Sequence, residues 1–280
     1  MITPYLILLI VGVVICDDAL SSSEISDSYD ESNESGSWPF EDVGTRIVRG
    51  KKAPDGFAPY QVSLRKKYKN EPYHFCGGSI YNDHWILTAA HCTVKYDATD
   101  IIAVVGTNSL SSGGDKYNVK QCIEHEKYDR KTLANDVAVC KIDKKFTYGD
   151  KVKTTTLAEK DPKGGDKVVL TGWGYTNYYR RTTPDQLQML EMTVLTQDEC
   201  NRNYTQISGY QKVDETQVCA LAKKDEGGCL GDSGGPLVLS DGKVQVGIVS
   251  YGVPCAHNFG DVYASVAYFQ DWIKNKTSSV

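Results

Sequence analysis

The chain has 280 residues, 31 basic and 36 acidic, with a formal net charge of −5 and nine cysteines. That length fits two packed domains or one large one. No basic run or aromatic–basic stripe points to nucleic acid, and no segment approaches the roughly 20 apolar residues that a membrane span needs.

Residues 1–16 read as a signal peptide. The apolar run "YLILLIVGVVIC" stops at "DDALSSS", and its length suits a signal-peptide core, with Val14 and Cys16 at the cleavage-recognition positions. Residues 17–46 hold nine acids, eight serines and one basic residue, Arg46. Such a stretch has too little apolar surface to offset its ordering entropy and reads as a disordered acidic segment. From Ile47 onward 30 basic residues face 27 acids, so the remaining chain carries +3. The acidic balance belongs to the segment before Ile47. The expected protein is therefore secreted, with no membrane attachment once the signal is removed.

After Ile47 the pattern is β-rich. Short runs of strand character recur in chain order: "YQVSLR", "WILTAA", "IIAVVG", "DVAVCKI", "KVVLTGWG" and "KVQVGIVSYG". Gly, Pro, Asn and Asp clusters separate them. "KVQVGIVS" alternates at period two, as a half-buried strand does. Only the C-terminus reads as helical: "VAYFQDWIKNK" sets Val266, Phe269 and Ile273 on one face, with lysines in the last turn. Many short strands with regular turns predict an all-β barrel or sandwich rather than a βαβ fold. Without Cys16, eight cysteines remain, a count that reads as four disulfides in a secreted chain. His74, Cys76, His91 and Cys92 lie close in sequence, but no metal-binding spacing joins them, so no metal is expected. Sequons at Asn33, Asn203 and Asn275 are candidate glycosylation sites.

Three motifs carry chemistry. "LTAAHC" puts His91 directly after a strand, "NDVAV" puts Asp136 at the start of another, and "GDSGGP" puts Ser233 in a glycine-rich turn. A serine hydroxyl needs a base within hydrogen-bond reach, and that base needs an orienting carboxylate. Glycines let successive backbone N–H groups converge on one spot, where they can hold a developing oxyanion. "GDSGG" also satisfies the nucleophile elbow of α/β-hydrolases. That fold requires Asp and His after the serine; Asp241 and His257 do follow, but no alternating βα pattern surrounds them.

His91, Asp136 and Ser233, in that order and within "IVRG", "HFCGGSI", "LTAAHC", "NDVAV", "LTGWG", "GDSGGPL" and "GIVSYG", resemble the trypsin/chymotrypsin family of serine proteases. The resemblance spans Ile47 to about Lys274. It implies two six-stranded antiparallel β-barrels with the active site between them and a C-terminal helix, so that 47–280 form the protease domain. It implies His91 as general base, Asp136 as its orienter, Ser233 as nucleophile, and the N–H groups of Gly231 and Ser233 as oxyanion hole. It further implies a zymogen cut at Arg46–Ile47, whose new amine pairs with Asp232; Arg49 departs from the glycine usual there. Family disulfides are implied for Cys76–Cys92, Cys200–Cys219 and Cys229–Cys255. Cys122 and Cys140 then pair by exclusion, or stay as two buried thiols. Thr107 stands where calcium-binding relatives have glutamate, so no calcium is expected, and no other cofactor.

By the same resemblance, the pocket for the side chain before the scissile bond (P1) has Gly227 on its floor, beside Gly228, where trypsins carry aspartate. Its walls come from Ser250, Tyr251 and Gly252 and from the segment with Asp261. Space for Phe, Tyr or Leu is expected. Two readings of Asp261 stand: its carboxylate enters the pocket and also accepts Arg or Lys, or it turns away into a polar loop. The expected partners are protein or peptide substrates, an activating trypsin-like protease and protein inhibitors, and the expected state is a monomer. The other readings are an inactive protease-like binding protein and a regulatory protease with one substrate.

Overall fold

The computed structural model describes residues 50–68, 71–176, 182–205, 212–223, 226–253 and 259–278. The signal peptide, the acidic segment with Asn33, the Arg46–Ile47 bond, Cys255 and His257 lie outside the described residues. Strand β1 (Lys51–Lys52) leads into β2 (Gln61–Lys66), β3 (Tyr73–Ile80) and β4 (Trp85–Thr88). A one-turn helix α1 (Ala90–Thr93) follows, then β5 (Ile101–Val105), β6 (Asp115–Glu124) and β7 (Ala138–Ile142). Six of these strands close a barrel in the order β2-β3-β4-β7-β6-β5. Period-two alternation explains the inside: Tyr117 and Val119 of β6 are buried while Lys116, Asn118 and Lys120 are exposed. Val62, Leu64, Ile86 and Leu87 fill the same interior, and each such side chain contributes about 1.5–3 kcal/mol by leaving water.

The second barrel uses β8 (Thr156–Leu157), β9 (Lys167–Gly172), β10 (Gln188–Leu195), β11 (Gln217–Leu221), β12 (Pro236–Leu239), β13 (Val244–Gly252) and β14 (Asp261–Ser265). The antiparallel order β9-β10-β11-β14-β13-β12 closes because β9 pairs with both β10 and β12. β1 extends β10, and β8 pairs in parallel with β13. All six strand runs singled out in the sequence are strands here.

Two expectations need correction. β13 is not half-buried: Gln245 to Ser250 are all buried. Its second face lies against the first barrel, where Ser79 Oγ donates to Gln245 Oε1 at 2.7 Å and Ile248 joins that barrel's core. The C-terminal helix α3 (Val266–Thr277) has a companion, α2 (Gln197–Tyr204). Thr196 caps α2 through the Glu199 N–H, and the Glu199 carboxylate returns to the Thr196 N–H. That reciprocal box was present in the sequence as "TQDE", and its polar first turn hid the helix from an apolar-periodicity reading. α3 buries Val266, Phe269 and Ile273 as expected, against the first barrel's core. Bridges join Cys76–Cys92, Cys122–Cys140 and Cys200–Cys219. Cys229 is disulfide-bonded too.

Candidate active site

The end of β4 turns directly into α1, which carries His91. The β6–β7 connection delivers Asp136 through a tight turn in which Leu133 and Asn135 both have φ of 55°. That left-handed conformation suits Asn but costs Leu energy, and Asn135 is fastened by its Nδ2 donating to Lys127 O at 3.0 Å. Asp136 is 1 % exposed. Its Oδ1 accepts from the His91 backbone N–H at 2.9 Å. Its Oδ2 accepts from His91 Nδ1 at 2.7 Å and from Ser250 Oγ at 2.6 Å. Burial pushes the Asp136 carboxyl upward, but the His91 charge and these donors outweigh it and hold the group below its ordinary range. With Nδ1 committed to Asp136, a neutral His91 has its lone pair on Nε2.

Ser233 sits in the turn between Gly227 and Gly235. Its carbonyl accepts from Gly77 N at 2.7 Å. Gly234 has φ of 74°, and a side chain there would meet Thr88 Oγ1 at 2.3 Å and Cys92 Sγ at 3.1 Å. The turn therefore packs on the Cys76–Cys92 bridge beside His91, and only glycine fits. Both sulfurs of that bridge are bonded to each other, so the nearby His91 has no thiolate partner for a metal. Among the described residues the Ser233 hydroxyl makes no hydrogen bond, and catalytic contacts of this kind commonly close only with substrate.

The backbone of the same turn divides its donors. Asp232 N donates to Cys229 O, Gly234 N to Val249 O and Gly235 N to Asp232 O. The N–H groups of Gly231 and Ser233 donate to nothing among the described residues. Asp232 explains "LTGWG": its carboxylate is buried between Gly172 and Gly174, where an added Cβ would lie 2.0 and 2.2 Å from its oxygens. It accepts from Gly174 N at 2.8 Å and Cys229 N at 3.0 Å. Burial outweighs those two donors and pushes its pKa up to about 6.

The pocket residues also converge. Antiparallel register sets Gly252 of β13 opposite Asp261 of β14. Asp261 Oδ2 accepts from Gly228 N at 2.8 Å. An added Cβ would lie 2.6 Å from Oδ1 at Gly252 and 3.0 Å from Oδ2 at Gly228. The carboxylate thus lies between the two glycine walls rather than turned outward. It lines a small recess with Met192, Ala220, Glu226, Gly227 and Val253. Burial, opposed by the Gly228 N–H and reinforced by the charge of Asp232, pushes its pKa up to about 7. The Ser250 hydroxyl is engaged by Asp136; Tyr251 is half-buried. Of the described sequons, Asn275 is exposed on α3, whereas Asn203 is half-buried with Nδ2 donating to Phe259 O at 3.2 Å.

The trypsin family model matches residues 47–273. The chain belongs to the trypsin family. Trypsin epsilon of Drosophila erecta is 36 % identical over 237 residues, covering 84 % of this chain and 89 % of the relative. Chymotrypsin-2 of Vespa crabro is 38 % identical over 229 residues, covering 81 % and 98 %. Among solved structures, neuropsin, a serine protease expressed in the limbic system of mouse brain, superposes with a TM-score of 0.72 at 30 % identity, covering 81 % of this chain and 98 % of that one. Membership of this family makes the protein a serine endopeptidase with protein substrates.

The sequence reading weighed His74 only as a metal ligand, passed over Ser63, and placed Ser250 only in the pocket wall; here His74 contacts the Gly231 carbonyl and Ser63, and Ser250 also donates to Asp136. All three are polar residues inside strands, with no local motif to mark them. Only the fold reveals what they face.

Proposed function

We propose that this trypsin-family chain is a secreted zymogen with His91 as general base, Asp136 as its orienter and Ser233 as nucleophile. The observation that carries this is the His91–Asp136 pair at 2.7 Å beside a serine turn whose Gly231 and Ser233 N–H groups are unengaged among the described residues. His91 takes the Ser233 proton as Oγ attacks the scissile carbonyl. The oxyanion accepts from the N–H groups of Gly231 and Ser233, and His91 returns the proton to the leaving amine. Water then repeats the sequence on the acyl-enzyme. Release of the Ile47 amine at Arg46–Ile47 supplies a cation for Asp232, which is supported by that carboxylate's burial with two N–H donors and no cation among the described residues. The apolar leader, 1–16, and the acidic segment, 17–46, support export as an inactive precursor.

For specificity, the acid-free floor at Gly227 favours Phe, Tyr and Leu, and Asp261 between the walls adds Arg and Lys. The test is P1 profiling after cleavage at Arg46, with active sites counted by a serine-reactive phosphonate. Cleavage after Phe, Leu, Arg and Lys is expected. Asp261→Asn should lower Arg and Lys cleavage about 10–100-fold and spare Phe. In the parent, the Arg-to-Phe ratio should rise with pH through about 7, as Asp261 ionises. Cleavage after Phe and Leu alone makes Asp261 a bystander, and no labelling of Ser233 overturns the enzyme assignment.

A further inference from the structure

Strand β2 brings three polar side chains into the interior, Gln61, Ser63 and Arg65. Ser63 and Arg65 are two residues apart, hence on one face, and both are buried, Arg65 at 7 % exposure. Antiparallel register sets His74 of β3 opposite Arg65, with a register shift between Leu64 and Arg65. Arg65 Nε donates to Ser63 Oγ at 3.0 Å, and its Nη1 donates to Leu110 O at 2.8 Å. Ser63 Oγ lies 2.9 Å from His74 Nδ1, and His74 Nε2 lies 3.0 Å from Gly231 O. Trp173 closes the other side of the imidazole, edge-on at 5.5 Å between ring centres.

The donors fix the direction of this line. A guanidinium only donates, so Ser63 Oγ must accept from Arg65. That leaves the Ser63 hydroxyl proton to donate onward to His74 Nδ1. Gly231 O only accepts, so the facing Nε2 must carry hydrogen. Burial holds His74 neutral, its pKa lowered to about 4, so it has a single ring proton and that proton is on Nε2. The Gly231 end requires this tautomer, and at the other end Arg65 occupies one Ser63 lone pair and favours turning the hydroxyl proton toward Nδ1. The fixed charge of Arg65 sits at its head, where it strengthens each following bond.

We propose that Arg65 is a positioning residue for catalysis: through Ser63 it holds His74 as the Nε2–H tautomer, which pins the Gly231 carbonyl and leaves the Gly231 N–H facing the oxyanion. This rests on the reading of Gly231 as an oxyanion donor. Gly231 has φ of 100°, a conformation open to glycine, and His74 Nε2–H is the side-chain contact on its carbonyl. Without Arg65 the Ser63 hydroxyl can turn and accept from Nδ1–H. A lone pair then faces Gly231 O and repels it.

The test combines spectroscopy with kinetics on the full chain. In ¹⁵N-labelled protein, with the His74 signals assigned by their loss in His74→Gln, the parent should show Nε2–H. Arg65→Met should shift His74 toward Nδ1–H, and Arg65→Lys, which keeps a donor-only cation, should restore much of the parent pattern. After cleavage at Arg46, Arg65→Met and Ser63→Ala should each lower kcat about tenfold with KM within about twofold, because an oxyanion contact acts in the transition state. Their double variant should be no worse than either single one, as members of one line are not additive. An unchanged tautomer in Arg65→Met, or additive losses, overturns the proposal. A shifted tautomer with full kcat overturns the positioning role as well, whereas failure of the enzyme reading shows separately as no labelling of Ser233 in the parent. Should Arg65→Met not fold, Arg65→Lys and Ser63→Ala carry both readouts.

Discussion

Asp136 shows how much one side chain can be asked to do. It is buried, yet three donors from two residues, His91 and Ser250, meet its oxygens. Those donors keep it ionised, and as an ion it selects the His91 tautomer with the lone pair on Nε2, the atom proposed to take the Ser233 proton. Asp136→Asn keeps the shape but offers an N–H where the acceptor was, which turns the imidazole's protons round. Steady-state assays should show kcat reduced by about 10⁴-fold, the size known for the orienting aspartate of trypsin. A loss below tenfold would remove Asp136 from the proposed role. The candidates His91, Asp136 and Ser233 stand out in the sequence because each is flanked by residues with strict local demands. Ser63 and Arg65 do not: a buried Ser or Arg in a strand reads only as a break in the apolar pattern until its partner on another strand is known.

At the scale of elements, the β6–β7 hairpin is the piece that delivers Asp136, and the Cys122–Cys140 bridge closes it. The two cysteines are directly opposed in the antiparallel register, with Cα atoms 4.1 Å apart. A bridge spanning 18 residues removes loop entropy from the unfolded chain. Replacing both cysteines by serine should therefore lower stability by about 3 kcal/mol, read from the urea midpoint. A loss under about 1 kcal/mol would mean that the strand pairing alone holds the hairpin. The sequence reached this pairing only by exclusion, since spacing cannot say which strands are neighbours. It missed α2 for the opposite reason: the helix is specified locally, by its capping box, and not by an apolar stripe.

Across the whole molecule, the closing of two barrels buries acids that no nearby cation neutralises among the described residues. Asp232 and Asp261 have pKa values raised to about 6 and about 7, above the roughly 3.9 of an unfolded aspartate. Between those limits the folded chain binds more protons than the unfolded one, so each acid lowers stability as pH rises through the window. His74 acts the other way. Its pKa is lowered to about 4, so it contributes stability that is lost as pH falls from about 6.5 toward 4. The clean measurement is a difference: Asp261→Asn should gain Tm relative to the parent as pH rises from about 5 to 8, and the gain should level off above that. A constant difference across that range would show that Asp261 is ionised throughout.

The sequence by itself determined the family, the glycine turn around Ser233 and six of the strands, because each rests on short-range requirements: a positive φ, a period of two, a residue type at a fixed step from its neighbour. Tertiary structure decided what those pieces face. It turned Asp261 between two glycine walls, gave Ser250 to Asp136, sealed both faces of β13 and lined Arg65, Ser63 and His74 up to Gly231. Each of those outcomes depends on which strands lie side by side and in what register, and register is set by closing the barrels, a condition that no stretch of sequence carries alone.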